Sequence, residues 1–171
     1  MIRFYRDLFA ALVGPLFANV AGMCSSFKGE LLNGIHAFGP GTGVPARTVS
    51  VADVLKAALY LVTGSRGVAD TVYNTTGELA GTGNYTQGGV TVTQATQPSS
   101  SGTTGIFTPS ASFSWANLTS SGAFDCCVIY NSSQGNKEIS VHTFASQSIT
   151  AGTFTLTMPT NDASNALLRI A

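Results

Sequence analysis

The chain has 171 residues, enough for one domain with a substantial buried core. Only 9% of the residues are charged and the formal net charge is zero, whereas ordinary globular domains contain about 25% charged residues. No basic cluster is present, which argues against a nucleic-acid partner. So sparsely charged a surface predicts a homo-oligomer or a subunit that its neighbours cover. The alternative is a free β-protein whose serine, threonine and asparagine supply polarity without charge.

The first residues, MIRFYRDLFAALVGPLFANVAGMCSS, are predominantly apolar. They imitate a secretory signal, but Asp7 lies at the edge of the apolar run and Pro15 interrupts it. The run is shorter than the about 20 residues of a transmembrane helix, so no membrane partner is expected. We predict an apolar arm over residues 1–26, helical or extended, that docks on a neighbouring subunit; a signal peptide is the alternative. Its anchoring side chains are predicted to be Phe9, Leu12, Val13, Leu16 and Phe17.

The next segment, residues 27–38, has apolar side chains at a spacing that predicts a short helix. Residues 56–63 are predicted as the first core strand. Beyond them, runs of β-branched and aromatic residues between turn-formers predict strands at residues 71–76, 89–93, 106–115, 123–131, 138–145, 153–158 and 166–170. In TFTLTMP, Phe154, Leu156 and Met158 alternate with threonines, as a half-buried strand requires.

About eight strands without helices between them predict a mainly β fold, an antiparallel β-sandwich or jelly roll over residues 27–171. Residues 94–105, QATQPSSSGTTG, are predicted as a long exposed loop rather than a domain boundary, because the strands on either side are too few for separate cores. Gly135 and Asn136 suit the positive φ angles of a hairpin turn.

The stretch GELAGTGNYTQGG, residues 77–89, has the glycine content of a phosphate-binding loop. Such loops direct backbone N–H groups at the anion from the start of a helix, usually with a lysine close behind. This stretch has no lysine, and the VTVT that follows has the alternation of a strand. The stretch is therefore predicted to be a structural connection.

Side chains that could carry catalysis or bind a metal are scattered along the sequence. His36 and His142 belong to no catalytic spacing, and the many serines include no G-x-S-x-G motif. We expect both histidines to be packed or surface residues. The acids are isolated, so that a carboxylate pair or calcium cage would have to be assembled by the fold; they include Asp70, Glu78, Asp125, Glu138 and Asp162. The sequence predicts no enzyme and no cofactor.

The cysteines and the aromatic residues are interpreted as core residues. Cys24 and the adjacent Cys126 and Cys127 make a poor disulfide framework and lie in no Cys/His cluster, so we expect buried thiols and no zinc. Aromatic residues on strands are more often buried than exposed. We expect this of Trp115, Tyr60, Tyr73, Tyr85 and Tyr130, for which a sugar-binding face is the alternative.

The order of motifs from residue 27 to the end resembles a family of small virion proteins of tailed bacteriophages. The motifs are FKGELLNGIHAF, KAALYLVTG, YNTTGELAGTGNYTQGGVTVT and CCVIYNSSQGNKEISVHTFASQSITAGTFTLTMPTNDASNALLRIA. The chain departs from the family pattern in an inserted Asn84 and in the arm before Met23. The family pattern contains no catalytic residues.

The resemblance implies a non-enzymatic structural component of the virion, a cement or decoration protein on the capsid surface. Its partners would be the major capsid protein or other virion subunits, together with further copies of itself. A tail, baseplate or fibre component with a receptor- or glycan-binding role is the alternative. In this interpretation the glycines of the segment permit a tight, positive-φ connection between sandwich strands; they are Gly81, Gly83, Gly88 and Gly89.

Overall fold

The computed structural model describes residues 19–24, 27, 36, 38, 52–80 and 83–171. Ten β-strands lie in these ranges. They are β1 (Gly22–Met23), β2 (Leu55–Leu61), β3 (Val90–Thr91), β4 (Ser99–Ser101), β5 (Thr104–Phe107), β6 (Phe113–Leu118), β7 (Phe124–Asn131), β8 (Lys137–Gln147), β9 (Gly152–Leu156) and β10 (Leu168–Ile170).

The strands form three antiparallel sheets. The largest has the order β1-β8-β7-β2-β3, the second has the order β10-β5-β4, and the third pairs β6 with β9. Every pairing between these strands is antiparallel. The predicted mainly β, antiparallel fold class is confirmed, and the finer sandwich or jelly-roll arrangement stays a prediction.

The centre of the five-stranded sheet is built from β2 and β7, whose sequences LKAALYL and FDCCVIYN are almost continuously apolar. Such runs indicate strands that are buried on both faces. Leu59 pairs with Cys127 and Tyr60 with Cys126, and all four are buried. The three cysteines are buried, as expected. This sheet therefore forms the middle of the hydrophobic core.

The strand β9 and the residues after it show the predicted half-buried alternation. Phe154, Leu156 and Met158 are partly buried, and the threonines between them are exposed. Phe154 packs edge-on against Phe124 of β7, with ring centroids 5.0 Å apart, and lies 5.8 Å from the ring of Trp115. These aromatic contacts join the two-stranded sheet to the five-stranded one.

Two of the strand predictions are wrong. Residues 106–115 do not form one strand, because β5 ends at Phe107 and β6 begins at Phe113 in a different sheet. Pro109 lies in the break and has no N–H to donate to a ladder. Residues 71–76 form only an isolated bridge from Val72 to Lys137. The Asn74 side chain accepts a hydrogen bond from the Thr76 N–H at 3.0 Å, and this local turn replaces strand pairing.

The prediction of a long exposed loop over residues 94–105 is also wrong. This region contains β4 and the start of β5, which pair as a hairpin from Ser99 opposite Ile106 to Ser101 opposite Thr104. Gly102 has a φ of +61°, a conformation that a short turn needs and that glycine adopts without strain. The serine-rich composition concealed a hairpin whose β4 residues are largely exposed.

The turn between β7 and β8 is as predicted, since Gly135 and Asn136 have φ angles of +66° and +59°. The helix predicted over residues 27–38 lies largely outside the described residues, which include only Phe27, His36 and Phe38 from it. Within the part of the chain that the structure describes, there is no helix with the length and apolar character that a bilayer crossing requires.

Candidate functional site

The glycine-rich segment between β2 and β3 is attached to the sheets at two points. Glu78 forms an isolated antiparallel bridge with Tyr60 of β2, and Gly83 forms one with Leu118 of β6. Gly83, Gly88 and Gly89 have φ angles of +60°, +95° and +68°. Gly81 lies outside the described residues.

At Gly89 the backbone itself requires glycine. A Cβ atom built on this residue would lie 1.9 Å from the carbonyl oxygen of Ala57 in β2, far inside van der Waals contact. The φ angle of +68° adds a conformation that other residues adopt only with strain. The segment can therefore lie directly on the central strand only because this residue has no side chain.

A buried carboxylate holds the segment in place. Glu78 is 3% exposed. Its Oε1 atom accepts hydrogen bonds from the Tyr85 hydroxyl and from the Gly88 N–H, both at 2.7 Å, and its Oε2 atom accepts one from the Tyr73 hydroxyl at 2.6 Å. Three donors satisfy the charge that burial removes from water, and hydrogen bonds to ionised groups are the stronger ones. Glu78 therefore fastens both ends of the segment to one point.

The tyrosines around Glu78 connect it to the sheet. The Tyr85 hydroxyl accepts a hydrogen bond from the Leu59 N–H at 3.0 Å, and the Tyr130 hydroxyl donates one to the Gly88 carbonyl at 2.8 Å. The rings of Tyr73 and Tyr130 stack with centroids 4.2 Å apart. Burial, reinforced by Glu78, raises the pKa of Tyr130 to about 12, and it raises the pKa of Tyr73 and Tyr85 further. The phenols therefore stay protonated and remain donors.

This geometry bears on the two interpretations of the glycine-rich segment, a phosphate-binding loop or a structural connection. The Gly88 N–H, which a phosphate loop would direct at a ligand, is directed at the chain's own carboxylate. The Gly89 N–H is bonded to the Thr86 carbonyl at 3.1 Å. The Gly88 N–H thus binds the chain's own Glu78, which favours the structural interpretation. Sequence reasoning treated Glu78 as an isolated acid and missed this role; its position between two tyrosines was the available signal.

A second polar cluster surrounds Arg66, which follows β2. Arg66 is 4% exposed and forms an ion pair with the fully buried Glu138 of β8. Its guanidinium lies 4.9 Å above the Tyr60 ring centroid, and its Nε atom is 3.6 Å from an Asp70 oxygen. Burial raises the pKa of Glu138 to about 7, although Arg66 opposes the shift.

The backbone of Arg66 holds the beginning of the described chain. Its N–H donates to the Asn19 side chain at 2.6 Å, and its carbonyl accepts from the Val20 N–H at 2.6 Å. The Asn19 amide also donates to Asp125 at 2.6 Å. The root of the predicted arm is thus fixed on the domain by a cluster in which three predicted isolated acids, Asp70, Asp125 and Glu138, take part.

Both histidines lie in packed surroundings. The buried His36 has its Nδ1 atom 3.0 Å from the side-chain nitrogen of Asn131, which also donates to Asp53 at 2.8 Å. His142 lies on β8, where its Nε2 atom is 2.9 Å from the Ser140 hydroxyl and burial lowers its pKa to about 4. His36 is buried and His142 is partly buried, which agrees with the expectation of packed or surface histidines.

His142 stands directly opposite Cys127 in the β7–β8 pairing. Burial raises the pKa of the Cys127 thiol well above its usual value. The Cys127 thiol therefore tends to keep its proton, and a protonated thiol is a weak nucleophile.

The remaining predicted site residues divide into three groups. Trp115, Tyr60, Tyr85 and Tyr130 are buried, so the core interpretation is confirmed for them. Phe9, Leu12, Val13, Leu16 and Phe17 lie outside the described residues. Asp162 is partly exposed, and it accepts hydrogen bonds from the backbone of Ser164 and Asn165 in a local turn. No group of three or more His, Cys, Asp or Glu side chains that could hold a metal occurs within the described ranges.

The fold and these clusters define the chain as a mainly β, antiparallel protein whose buried polar groups serve internal attachment. Comparison with protein-family models, with curated proteins and with solved structures gave no match.

Proposed function

We propose that the chain is a non-enzymatic structural protein of a tailed-bacteriophage particle, a cement protein that binds the capsid surface and stabilises contacts between shell subunits. The resemblance of its motifs to small virion proteins provides the biological context. Binding to the assembled shell stabilises it by mass action and needs no chemistry.

The proposed structural role is supported by the hydrogen bonds that Glu78 accepts. Glu78 is a buried carboxylate in a glycine-rich segment, a setting suited to catalysis or ligand binding. Both of its carboxylate oxygens accept hydrogen bonds from the protein itself, from Tyr73, Tyr85 and Gly88. A site that is occupied by its own fold supports a rigid building block over an enzyme or a small-molecule receptor.

The sparse charge supports assembly. Eight basic and eight acidic side chains in 171 residues leave little to keep copies apart in solution. Several of these charges are taken up inside the domain, as the buried residues Asp53, Arg66, Glu78 and Glu138 show. The remaining surface is suited to contact with other subunits through uncharged polar and apolar groups.

The test is co-sedimentation of the purified protein with shells of the cognate phage that lack it, with copies per shell counted by quantitative gel. Many saturable copies are expected. Few or no copies on shells, with the protein found on isolated tails, would overturn the capsid assignment.

The arm is tested in the same assay by deletion of residues 1–18, which leaves the Asn19 and Val20 contacts with Arg66 in place. Shell occupancy is expected to fall while the domain stays folded. A full-length Leu12→Asp variant should also bind shells weakly. Val72→Asp changes a side chain that is 45% exposed on the domain, and this variant should bind like the wild type. Equal occupancy in all three variants would contradict an anchoring role for the arm.

A second candidate function, receptor or glycan binding in a tail or fibre, is favoured by one observation. The β4–β5 hairpin presents Ser99 and Ser100 to solvent, and hydroxyl groups on an exposed hairpin are suited to polar ligands. The tyrosines considered for the same role lie in the interior, except for the partly buried Tyr73. Binding of the purified protein to a glycan array, lost in a Ser99→Ala and Ser100→Ala double variant, would favour this candidate.

A further inference from the structure

An apolar groove lies on the three-stranded sheet. It has a volume of about 140 Å³ and is lined by residues that include Phe38, Ile106, Phe107 and Ile170. Its aromatic wall is built by Phe38 packing edge-on against Phe107, with ring centroids 5.0 Å apart. Ile170 is 51% exposed at the rim. A cavity of about 150 Å³ with a lining of this kind accommodates a benzene ring, so the groove has the size and chemistry for a phenylalanine side chain.

The chain itself provides a segment of matching chemistry. Residues 1–18 precede the described structure and include Phe9, Leu12, Leu16 and Phe17. Fully extended, a segment of this length spans about 60 Å, which exceeds the diameter of one domain of this size. The segment can therefore reach a groove on a neighbouring copy.

The arm root and the groove lie on opposite faces of the five-stranded sheet. Arg66, which holds Asn19 and Val20, lies over the ring of Tyr60. Tyr60 and Leu55 are five residues apart on β2 and so point to opposite faces, and Leu55 pairs with Asn131.

The groove lies on the side of the sheet to which Leu55 and Asn131 point. His36 contacts Asn131 and packs against Phe27, with ring centroids 4.8 Å apart, and Phe27 lines the groove. An arm that entered its own groove would have to pass around the edge of its sheet.

We propose that the N-terminal arm of one copy binds in the groove lined by Phe38, Ile106, Phe107 and Ile170 of a second copy, and so links the copies by arm exchange. The inference rests on the proposed function for its biological role, since exchanged arms would join neighbouring cement subunits on the shell. It is tested without any shell.

The first experiment traps the contact between full-length chains. A chain carrying Phe9→Cys is mixed with one carrying Ile170→Cys, the mixture is oxidised, and disulfide-linked dimers are measured on a non-reducing gel. The native thiols are buried, and burial raises the pKa of Cys126 to about 12, so they compete poorly. Linked dimers of the two different chains are the expected product.

A matched pair of variants tests whether the disulfide between the chains depends on the groove. A Cβ atom on Gly105 would meet nothing closer than 3.7 Å, so Gly105→Val fits the backbone of β5 and fills part of the groove. Introduced into the Ile170→Cys chain, it is expected to abolish the dimers. Thr153→Val, at an exposed position on β9, adds an apolar surface elsewhere and should leave them unchanged.

Two outcomes overturn the proposal. If a chain carrying both cysteines gives only internally linked monomers, and the mixed chains give no dimers, the arm binds its own groove. If no link forms in either case, the arm does not bind the groove. Dimers that form in chains that fail to bind shells leave arm exchange intact and contradict the cement function alone.

Discussion

The carboxylate of Glu78 accepts a hydrogen bond from the N–H of Gly88, ten residues further along the chain, at 2.7 Å. The same oxygen accepts from Tyr85, and the other oxygen accepts from Tyr73. One acidic side chain thus determines the path of the glycine-rich segment. This arrangement makes the segment's stability depend on a single buried charge.

Glu78→Gln is expected to destabilise the domain by about 2 kcal/mol, because the amide lacks the charge and turns an NH₂ group toward a hydroxyl or N–H donor. Urea unfolding measures the change. Adding Tyr85→Phe to Glu78→Gln should cost less than the sum of the two single changes, since both remove the same hydrogen bond. Strict additivity would show that the two side chains are not coupled.

Gly89→Ala is expected to be among the most destabilising single substitutions in the chain. The left-handed backbone alone costs about 1–2 kcal/mol, and the Cβ atom would lie 1.9 Å from the Ala57 carbonyl oxygen, so that β2 or the segment must move. Gly135→Ala is the matched control, because Gly135 also has a positive φ but nothing lies within 4 Å of its Cβ position. Similar midpoints for the two variants in thermal unfolding would contradict the close approach at Gly89.

Some of the strands could be predicted from the sequence and others could not. Apolar runs predicted β2 and β7, and alternation and turn residues predicted β8 and β9, because burial of side chains leaves a direct mark on the sequence. The serine-rich β4 left no such mark. Its pairing depends on hydrogen bonds between main-chain atoms, which any residue can make.

The polar clusters could not be predicted for a different reason. Glu78 meets donors up to ten residues away, and Arg66 meets Glu138 across 72 residues of sequence. Contacts of this kind are created by the packing of sheet and connections, and an isolated acid in the sequence gives no sign of its partner. The glycines indicated where the backbone approaches closely but not which group it approaches.

Glu138 is expected to make stability fall as the pH rises. Burial raises its pKa in the folded state to about 7, above the ordinary value of 4.5, so the folded state binds a proton more tightly than the unfolded state. Its contribution to the free energy of unfolding is at most about 3 kcal/mol. This contribution is fully present below pH 4.5 and is lost as the pH rises through 7. Glu138→Gln should flatten this part of the pH profile in urea unfolding. A variant with the wild-type slope would contradict the assignment.

His142 is expected to act in the opposite direction. Burial lowers its folded-state pKa from 6.5 to about 4, so the folded state resists protonation. Its contribution is present above pH 6.5 and is lost as the pH falls through 4. His142→Gln should therefore lose less stability on acidification than the wild type does. The effects of Glu138 and His142 overlap between pH 4.5 and 6.5, and the single variants separate them. If His142→Gln loses as much stability on acidification as the wild type, other groups cause the loss.

The ion pair between Arg66 and Glu138 provides the last prediction. Arg66→Met leaves the fully buried Glu138 without its cation, and a broken buried pair costs about 3–5 kcal/mol. The cost should grow as the pH rises, because loss of Arg66 raises the pKa of Glu138 further and the protonated carboxyl group escapes part of the cost at lower pH. The double variant Arg66→Met and Glu138→Leu removes both charges and should recover most of the loss.

The same variants test the connection to the arm root. Arg66 bonds Asn19 and Val20 through its backbone, so a displaced Arg66 segment should expose the chain near Asn19 to limited proteolysis. Cleavage there is expected to increase in Arg66→Met at pH 8 and to return toward the wild-type rate in the double variant. If the double variant is cleaved as fast as Arg66→Met, the arm root depends on the guanidinium itself, and the charge balance with Glu138 is not what holds it in place.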